Sequence, residues 1–377
     1  MRFHATQIDM ISALTFLTRI IPPAGGTLPI LSGVQITARD QQILLSATDL
    51  TTSLDITIPG EVIEPGQVVL PAAPIRDLIH RLPTTMFTLE SEDVSGRATI
   101  RYGRNHATLY GFGSEVLPAF PDFAGADDPP LEWPAGTLSR LSHQLLFACA
   151  KDDSRPALKG VALSWADAHL VFVATDGTRL SHVTLPASED PHWPQPLVIA
   201  AKTLAEAARM NAEAPVSLHV NTSGRLIAFS APHMLLRSRL LNGPYPAIDR
   251  VIPDDYPTQV VIPLADLRSA VARVTLITSR HAQDPTPVRL SLDAQTSGIR
   301  LTTKDPAIGQ AEEWVDGTVS GQDLDILLNS EYFLEALKSL QGSDVAIGFA
   351  GIEKPAKMLT PDQSDFFHIL LPLRQLV

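Results

Sequence analysis

Asp176, Ser181 and His182 put a carboxylate, a hydroxyl and an imidazole within 7 residues of one another, the ingredients of an acid–base or nucleophilic set. Their spacing argues against that use. Ser181 and His182 are neighbours, and neighbours on a strand point to opposite faces, so the hydroxyl and the imidazole do not converge. Asp176 stands in Ala174-Thr175-Asp176-Gly177, where a strand-ending turn has its carboxylate accept backbone N–H bonds and Gly177 supply a positive φ. Asp49, in Ala47-Thr48-Asp49-Leu50, carries the same expectation. The sequence holds no phosphate loop of the Gly-x-x-x-x-Gly-Lys type, no His-Glu-x-x-His, no Cys-x-x-Cys and no Gly-x-Ser-x-Gly. Its 11 histidines show no ligand spacing on one helix face, so neither a metal nor a cofactor is expected. Cys149 is the single cysteine; it excludes an intramolecular disulfide, fits a reducing compartment and reads as a small buried apolar residue. Asn221-Thr222-Ser223 reads as a hairpin turn. Binding, with no catalytic residue, is the expectation; a β-rich hydrolase using Asp176 with a nearby histidine is the enzyme-class alternative.

The elements that must position these residues recur. Asp176 follows Asp49 by 127 residues, and Pro156, Gly160 and Val161 follow Pro29, Gly33 and Val34 by the same offset. A third copy follows at 129, where Asp305 succeeds Asp176, and Leu290 and Leu292 succeed Val161 and Leu163. Ile75, Leu204 and Phe333 share that spacing, as do Asp77, Glu206 and Glu335. A 377-residue chain therefore reads as three copies of one unit, each near the commonest domain size. The boundaries expected are 1–125, 132–253 and 254–377. Hydrophobic periodicity predicts helices at 7–20, 73–82, 137–151, 202–211, 264–280 and 331–340, with short strands between them. Proline-bearing links are placed at 117–137 and 242–263.

The net charge of −12 opposes contact with phosphates, but an average can hide a face. The six predicted helices hold 11 Lys and Arg against 6 Asp and Glu, or +5, which leaves −17 elsewhere. Arg19, Arg76, Arg81, Arg140, Lys151, Lys202, Arg209, Arg268, Arg273, Arg280 and Lys338 form this candidate basic surface. Such a surface binds nucleic acid without reading its sequence, and more weakly as salt rises. No run approaches the ~20 apolar residues that cross a bilayer. Asp9, Ser12, Thr15, Thr18 and Arg19 interrupt the apolar residues near the start, so no secretion signal and no membrane partner are expected, and the chain reads as cytoplasmic.

Met1-Arg2-Phe3, Thr27-Leu28-Pro29-Ile30-Leu31, Arg155-Pro156-Ala157-Leu158-Lys159-Gly160, the two Ala-Thr-Asp segments, Tyr245-Pro246-Ala247-Ile248-Asp249-Arg250-Val251-Ile252-Pro253, Lys354-Pro355 and Leu371-Pro372-Leu373-Arg374 together resemble one family along the whole chain. That family is the bacterial sliding clamp, the β subunit of DNA polymerase III. The resemblance implies an α+β fold of three repeated clamp domains, the DNA-clamp fold, with helices lining a ring interior and β-sheets outside. Two chains would close head to tail as a homodimer, encircle double-stranded DNA without regard to sequence, and tether a polymerase by topology.

The resemblance also implies a peptide-binding cleft for the DNA polymerase III catalytic subunit, the clamp loader and other proteins carrying a clamp-binding motif rich in Gln, Leu and Phe. Matching positions are Leu158, Thr175, Gly177, Arg179, Leu180, Pro246, Arg250, Val251, Pro355, Ile369, Leu371, Pro372, Leu373 and Arg374. Apolar walls would hold two or three side chains at ~1.5–3 kcal/mol each before ordering costs, which favours exchangeable partners. DNA contact falls to Arg19, Arg76, Arg81, Arg140, Lys151, Arg155, Lys202 and Arg209. The dimer interface falls to Leu276 and Ile277, received by Arg101, Arg104 and Leu109. The chain departs from the family at Gly25-Gly26, where an Arg-Pro pair is frequent, at Thr178, at Ala247-Ile248, at Leu371 and Leu373, where methionine is frequent, and in its tail Arg374-Gln375-Leu376-Val377. A divergent second clamp copy and a repeat scaffold that docks peptides without DNA are the alternatives.

Overall fold

In a computed structural model the structure describes residues 1–22, 28–83, 85–92, 96–121, 123, 130–187, 189–193, 195–248, 250–277, 286–293 and 297–374. The first third of the chain runs β1 (Arg2–Thr6), α1 (Gln7–Ile20), β2 (Gly33–Arg39), β3 (Gln42–Thr48), β4 (Thr52–Pro59), β5 (Glu61–Glu64), β6 (Gly66–Pro71), α2 (Ala72–His80), β7 (Met86–Ser91), β8 (Arg97–Tyr102) and β9 (Asn105–Tyr110). The middle third runs β10 (Leu131–Trp133), α3 (Thr137–Leu145), β11 (Gly160–Ala166), β12 (His169–Thr175), β13 (Arg179–Pro186), β14 (Leu197–Ala200), α4 (Ala201–Met210), β15 (Val216–Asn221), β16 (Leu226–Ala231) and β17 (Met234–Arg239). The last runs β18 (Thr258–Pro263), α5 (Leu264–Thr275), β19 (Pro287–Leu292), β20 (Gly298–Asp305), β21 (Gly309–Asp316), β22 (Thr318–Gly321), β23 (Leu324–Asn329), α6 (Ser330–Ser339), β24 (Asp344–Phe349), β25 (Ala356–Leu359) and β26 (Phe366–Leu370). One order, strand–helix–strands then strand–helix–three strands, occurs three times among the described residues. β5 and β22 are additions in the first and third copies.

Helix α1 shows why a copy opens as it does. Thr6 caps it, its hydroxyl accepting from the Asp9 N–H at 3.1 Å and donating to the Asp9 carboxylate at 2.5 Å. Met10, Ala13, Leu14, Leu17 and Ile20 form its buried stripe, and Pro22 prevents continuation. Asn329 caps α6 in the same manner, accepting from the N–H groups of Glu331 and Tyr332.

Contacts divide the chain into two units, Met1–Ser139 with Thr203–Leu240, and Arg140–Lys202 with Leu241–Val377. The first holds a five-stranded sheet, β5-β1-β7-β8-β9, and an eight-stranded sheet, β10-β15-β16-β17-β4-β3-β2-β6. The second holds a nine-stranded sheet, β14-β11-β12-β13-β26-β25-β24-β18-β22, and a four-stranded sheet, β21-β20-β19-β23. Every pairing is antiparallel, so hairpins suffice to build each sheet. In each unit one sheet passes from one copy of the repeat to the next, through β4 beside β17 and through β13 beside β26.

Three expectations need correction. The helix predicted over 137–151 ends at Leu145, and Leu146–Ala148 tighten into a 3₁₀ turn that lets the consecutive apolar residues Ala148, Cys149 and Ala150 all be buried. The helix predicted over 264–280 ends at Thr275, and Arg280 lies outside the described residues. Both links contain strands: β10 pairs with β15, and β18 pairs with β24 and β22, because backbone pairing can recruit short segments in which proline signals dominate.

Candidate functional site: the outer face of the β13–β26 junction

The two Ala-Thr-Asp segments fold into the same turn. In the first, Asp49 Oδ1 accepts from the N–H groups of Thr51 (3.0 Å) and Thr52 (2.7 Å) and from the Thr51 hydroxyl (2.7 Å). In the second, Asp176 Oδ1 accepts from the N–H groups of Thr178 (2.9 Å) and Arg179 (3.2 Å) and from the Thr178 hydroxyl (2.6 Å). Thr48 and Thr175 each donate to a carbonyl four residues on, at 2.8 and 2.6 Å. Asp305 repeats the carboxylate half, accepting from the Ala307 and Ile308 N–H groups. Oδ1 of each carboxylate is spent on its own turn, as a turn role requires.

Beyond the second turn, β13 joins β26 with Leu180 opposite Ile369, Ser181 opposite His368 and His182 opposite Phe367. Side-chain alternation splits this junction into two faces. On the inner face His368 is buried, its Nδ1 2.8 Å from Ser181 Oγ and its Nε2 2.6 Å from Ser339 Oγ on α6. Burial pushes its pKa down to about 3, because no water remains to solvate the imidazolium. Ser181 is 0% and His368 1% exposed, so this serine–histidine contact has no room for a substrate. Arg179 lies on the same inner face, 3% exposed. Its Nε donates to Asp176 Oδ2 at 2.9 Å, its Nη1 pairs with Glu335 of α6, and its guanidinium lies 3.9 Å from the Tyr332 ring centroid. Cys149 is nearby and inert: burial raises its thiol pKa to about 12.

The outer face is largely apolar, with His182 stacked on Phe367 and Lys357, opposite Ile369, over the same ring as its polar members. Ala162, Val173, Leu180 and Ile369 form one buried cluster, with Val171, Tyr245, Ile248, Ile252 and Phe367 packed on it. The segment after β17 is fastened by the Tyr245 hydroxyl, which accepts from Thr175 N at 3.1 Å and donates to Val173 O at 3.1 Å.

All the peptide-site positions named from the sequence lie in the second unit. Thr175, Leu180 and Ile369 share the outer face through the pairs Thr175–Leu180 and Leu180–Ile369. Leu371 continues beside the turn, its N–H donating to Thr178 O at 2.9 Å, and the Leu373 N–H reaches Leu327 O at 2.8 Å. Leu371, Pro372 and Leu373 are half-buried and Arg374 is exposed. Pro246, Arg250 and Val251 are exposed on the fastened segment, Pro355 is half-buried just before β25, and Leu158 is buried in the 3₁₀ turn Pro156–Lys159. Gly177 sits at φ 92°, where a Cβ would lie 2.6 Å from Arg155 Nη1. Arg179 is the exception, since its side chain faces away from the groove floor. Asp249 lies outside the described residues.

The basic positions are scattered in their engagement. Arg76 pairs with Asp77 at 2.8 Å, Arg140 with Asp365 at 3.1 Å and Arg209 with Glu206 at 2.9 Å. Arg155 donates to Asp176 O at 2.6 Å and so braces the turn. Arg273 grips Glu313 of β21 with two bonds of 2.7 and 2.8 Å, which hold the Glu313 carboxyl below the usual carboxylate range. Arg19, Arg81, Lys151, Lys202, Arg268 and Lys338 are exposed. Within the observed helix bounds the count is 8 Lys and Arg against 6 Asp and Glu, an excess of +2 in place of the expected +5. The difference arises because Arg81 and Lys151 lie past the ends of their helices, and Arg280 lies outside the described residues.

Leu276, 70% exposed, and half-buried Ile277 follow α5. Arg101 and Arg104 are exposed and Leu109 half-buried at β8 and β9, the latter an edge strand. A second edge went unread in the sequence: β21, which exposes Glu312, Trp314 and Asp316. Its signal was available in the Asp305 turn, which a strand had to follow as β13 follows Asp176. Among the described residues no group of His, Cys, Asp or Glu is placed to hold a metal, and no helix is long and apolar enough to cross a membrane.

Models of the N-terminal, central and C-terminal domains of the DNA polymerase III beta subunit match residues 1–121, 132–247 and 249–374. The chain is 29% identical over 360 residues to the beta sliding clamp of Bacillus subtilis (strain 168), covering 92% of this chain and 93% of that protein. The crystal structure of the DNA polymerase sliding clamp from Bacillus subtilis aligns with a TM-score of 0.92 at 25% identity, over 100% of this chain and 99% of that one. The beta subunit from the DNA polymerase of Streptococcus pyogenes aligns with a TM-score of 0.90 at 25% identity over 100% of both chains.

Proposed function

The chain belongs to the DNA polymerase III beta-subunit family, the bacterial sliding clamps, and from that premise we propose that two copies close a ring which encircles duplex DNA and holds the replicative polymerase to it. Its role is that of a processivity factor in DNA replication. The observation that carries this reading is the strand–helix order stated three times, matched by the family over nearly the whole length. The chain works without catalysis or a cofactor, in the cytoplasm, as three domains at 1–125, 132–253 and 254–377.

Ring closure joins the edge strand β9, beside Arg101, Arg104 and Leu109, to the β21 edge of the partner subunit, beside Leu276 and Ile277. Opposite charge favours this pairing: Arg104 and His106 are exposed at one edge, Glu312 and Asp316 at the other, and unpaired strand edges are ready to extend a sheet. Arg19, Arg76, Arg81, Arg140, Lys151, Arg155, Lys202 and Arg209 supply the positive field toward DNA, weak enough per contact to permit sliding. Leu158, Thr175, Gly177, Leu180, Pro246, Arg250, Val251, Pro355, Ile369, Leu371, Pro372, Leu373 and Arg374 shape the groove that takes the linear motif of the polymerase catalytic subunit, the clamp loader and other motif-bearing proteins. Arg179 serves that groove from behind, by holding the β13 turn against α6.

Retention on DNA tests the reading. The protein loaded onto closed circular duplex should stay bound through a salt wash and be lost when the circle is cut once. Equal retention on circular and linear DNA, or none on either, would overturn it.

A further inference from the structure

We propose that the docking groove continues past Leu180 and Ile369 across the outer face of β11 and β12, and that this extension takes an arginine or lysine flanking the apolar anchors of the docked peptide. The inference rests on the peptide-docking reading above. A cavity of about 590 Å³ opens on that face, with Ala162, Val171 and Val173 as its floor and Pro246–Ile248 along one side. Ala162 and Val173 pack in the same apolar cluster as Leu180 and Ile369, so the floor of the cavity adjoins the residues under the expected anchors. A peptide anchored there has the cavity next to it on the same face of the sheet.

The far end of the cavity has a different chemistry. Asp167 stands there at the tip of the β11–β12 hairpin, at φ 49° with Ala168 at φ 60°, the paired positive φ of a tight two-residue turn. His169 Nδ1 lies 2.7 Å from Asp167 O, which ties the imidazole to the turn. Asp167 is the one carboxylate among the described residues lining the cavity, and no lysine or arginine lines it. Two valines leading to an exposed carboxylate fit a side chain with an apolar stem and a cationic head. An acidic flank meets the same carboxylate as repulsion, so the extension discriminates among partners whose anchors are alike.

The test uses labelled peptides with a constant Gln/Leu/Phe anchor and a flank of Arg, Ala or Glu placed before or after it, titrated by fluorescence anisotropy against the full-length protein at low salt. The Arg-flanked peptide should bind about 3- to 10-fold tighter than the Ala-flanked one in at least one placement, as a partly desolvated ion pair allows, and the Glu-flanked one weaker. Asp167→Asn should erase that difference and leave the Ala-flanked affinity unchanged, since Asn also tolerates a left-handed φ. Equal binding of Arg and Ala flanks in both placements, or an Arg advantage that survives D167N, would overturn the extension alone. Failure of the Ala-flanked peptide to bind at all would overturn the docking reading, and the extension with it.

Discussion

The β4–β17 junction in the first unit and the β13–β26 junction in the second have matching strand registers but opposite chemistry on each face. On the inner face, Leu54 opposite Leu236 in the first occupies the place of Ser181 opposite His368 in the second. On the outer face, Ser53 opposite Arg237 stands where Leu180 is opposite Ile369. Arg237 pairs with Asp55 and lies 5.5 Å from the Phe120 ring, so that floor is charged and covered by its own chain. The second junction instead places Ser181, His368 and Arg179 inward, in contact with α6, and sets Leu180 opposite Ile369 outside, with His182 and Lys357 flanking Phe367. One backbone thus yields a charged pair in one unit and, in the other, the apolar pair proposed as the docking floor.

Transplanting the floor is the strongest way to break this contrast. Leu180→Ser with Ile369→Arg imports the pair found at Ser53 and Arg237. Losing two apolar contacts and placing a charge beneath the anchors should weaken motif-peptide binding about a thousandfold, with unchanged circular dichroism. Binding within threefold of wild type would remove these residues from the floor. Next, Arg179→Ala strands Asp176 and Glu335 and should cost about 3 kcal/mol in urea unfolding, against about 1 kcal/mol for Thr52→Ala at the matching position of the first turn. Equal costs would mean that the charged seam holds no more than the hydroxyl one.

The buried imidazole gives the third contrast. His368 takes up a proton at about 3 when folded and at 6.5 in an unstructured chain. Below pH 6.5 the unfolded state therefore binds a proton that the folded state refuses. The contribution is complete above that pH and is lost as pH falls toward 3, the loss amounting to about 2 kcal/mol at pH 5. Ser181→Leu with His368→Leu, which restores the leucine pair of the first junction, should make the second unit less acid-sensitive by that amount between pH 8 and pH 5. An unaltered pH slope would count against the neutral histidine. The smallest effect belongs to the turns themselves. Leu50 holds φ 73° where the second turn has Gly177 at 92°, so Leu50→Gly should raise stability by about 0.5 kcal/mol, left-handed relief exceeding the added freedom of the unfolded chain. A lower thermal midpoint would show that the Leu50 side chain packs usefully.

Much of the architecture was legible because it is written in local rules. The 127-residue offset between Asp49 and Asp176 marked two turns whose carboxylate hydrogen bonds the structure repeats, and the helical spacing of Ile8, Ile11, Leu14, Leu17 and Ile20 located α1 at its observed bounds, although Ile8 is exposed and Met10 and Ala13 are buried with Leu14, Leu17 and Ile20 instead. Short edge elements escaped, among them β10 and β14, since a strand of three or four residues beside prolines has too little periodicity to read, and the eight-residue β21 went unread although the Asp305 turn announces it. The candidate site was legible as a set of residues through family resemblance, but not as a surface. Arg179 and Leu180 are neighbours in the sequence, yet one is sealed against α6 and the other lies on the opposite face of the sheet.

The sequence by itself determined where the chain turns, where its helices begin and that one unit is used three times, because caps, Asx turns and apolar stripes act over a few residues. Tertiary structure alone decided which face of the β13–β26 junction took the buried polar contacts and which took the Leu180–Ile369 pair. That choice depends on Glu335 and Tyr332, brought to Arg179 of β13 from more than 150 residues away, and no local pattern encodes a partner at that distance.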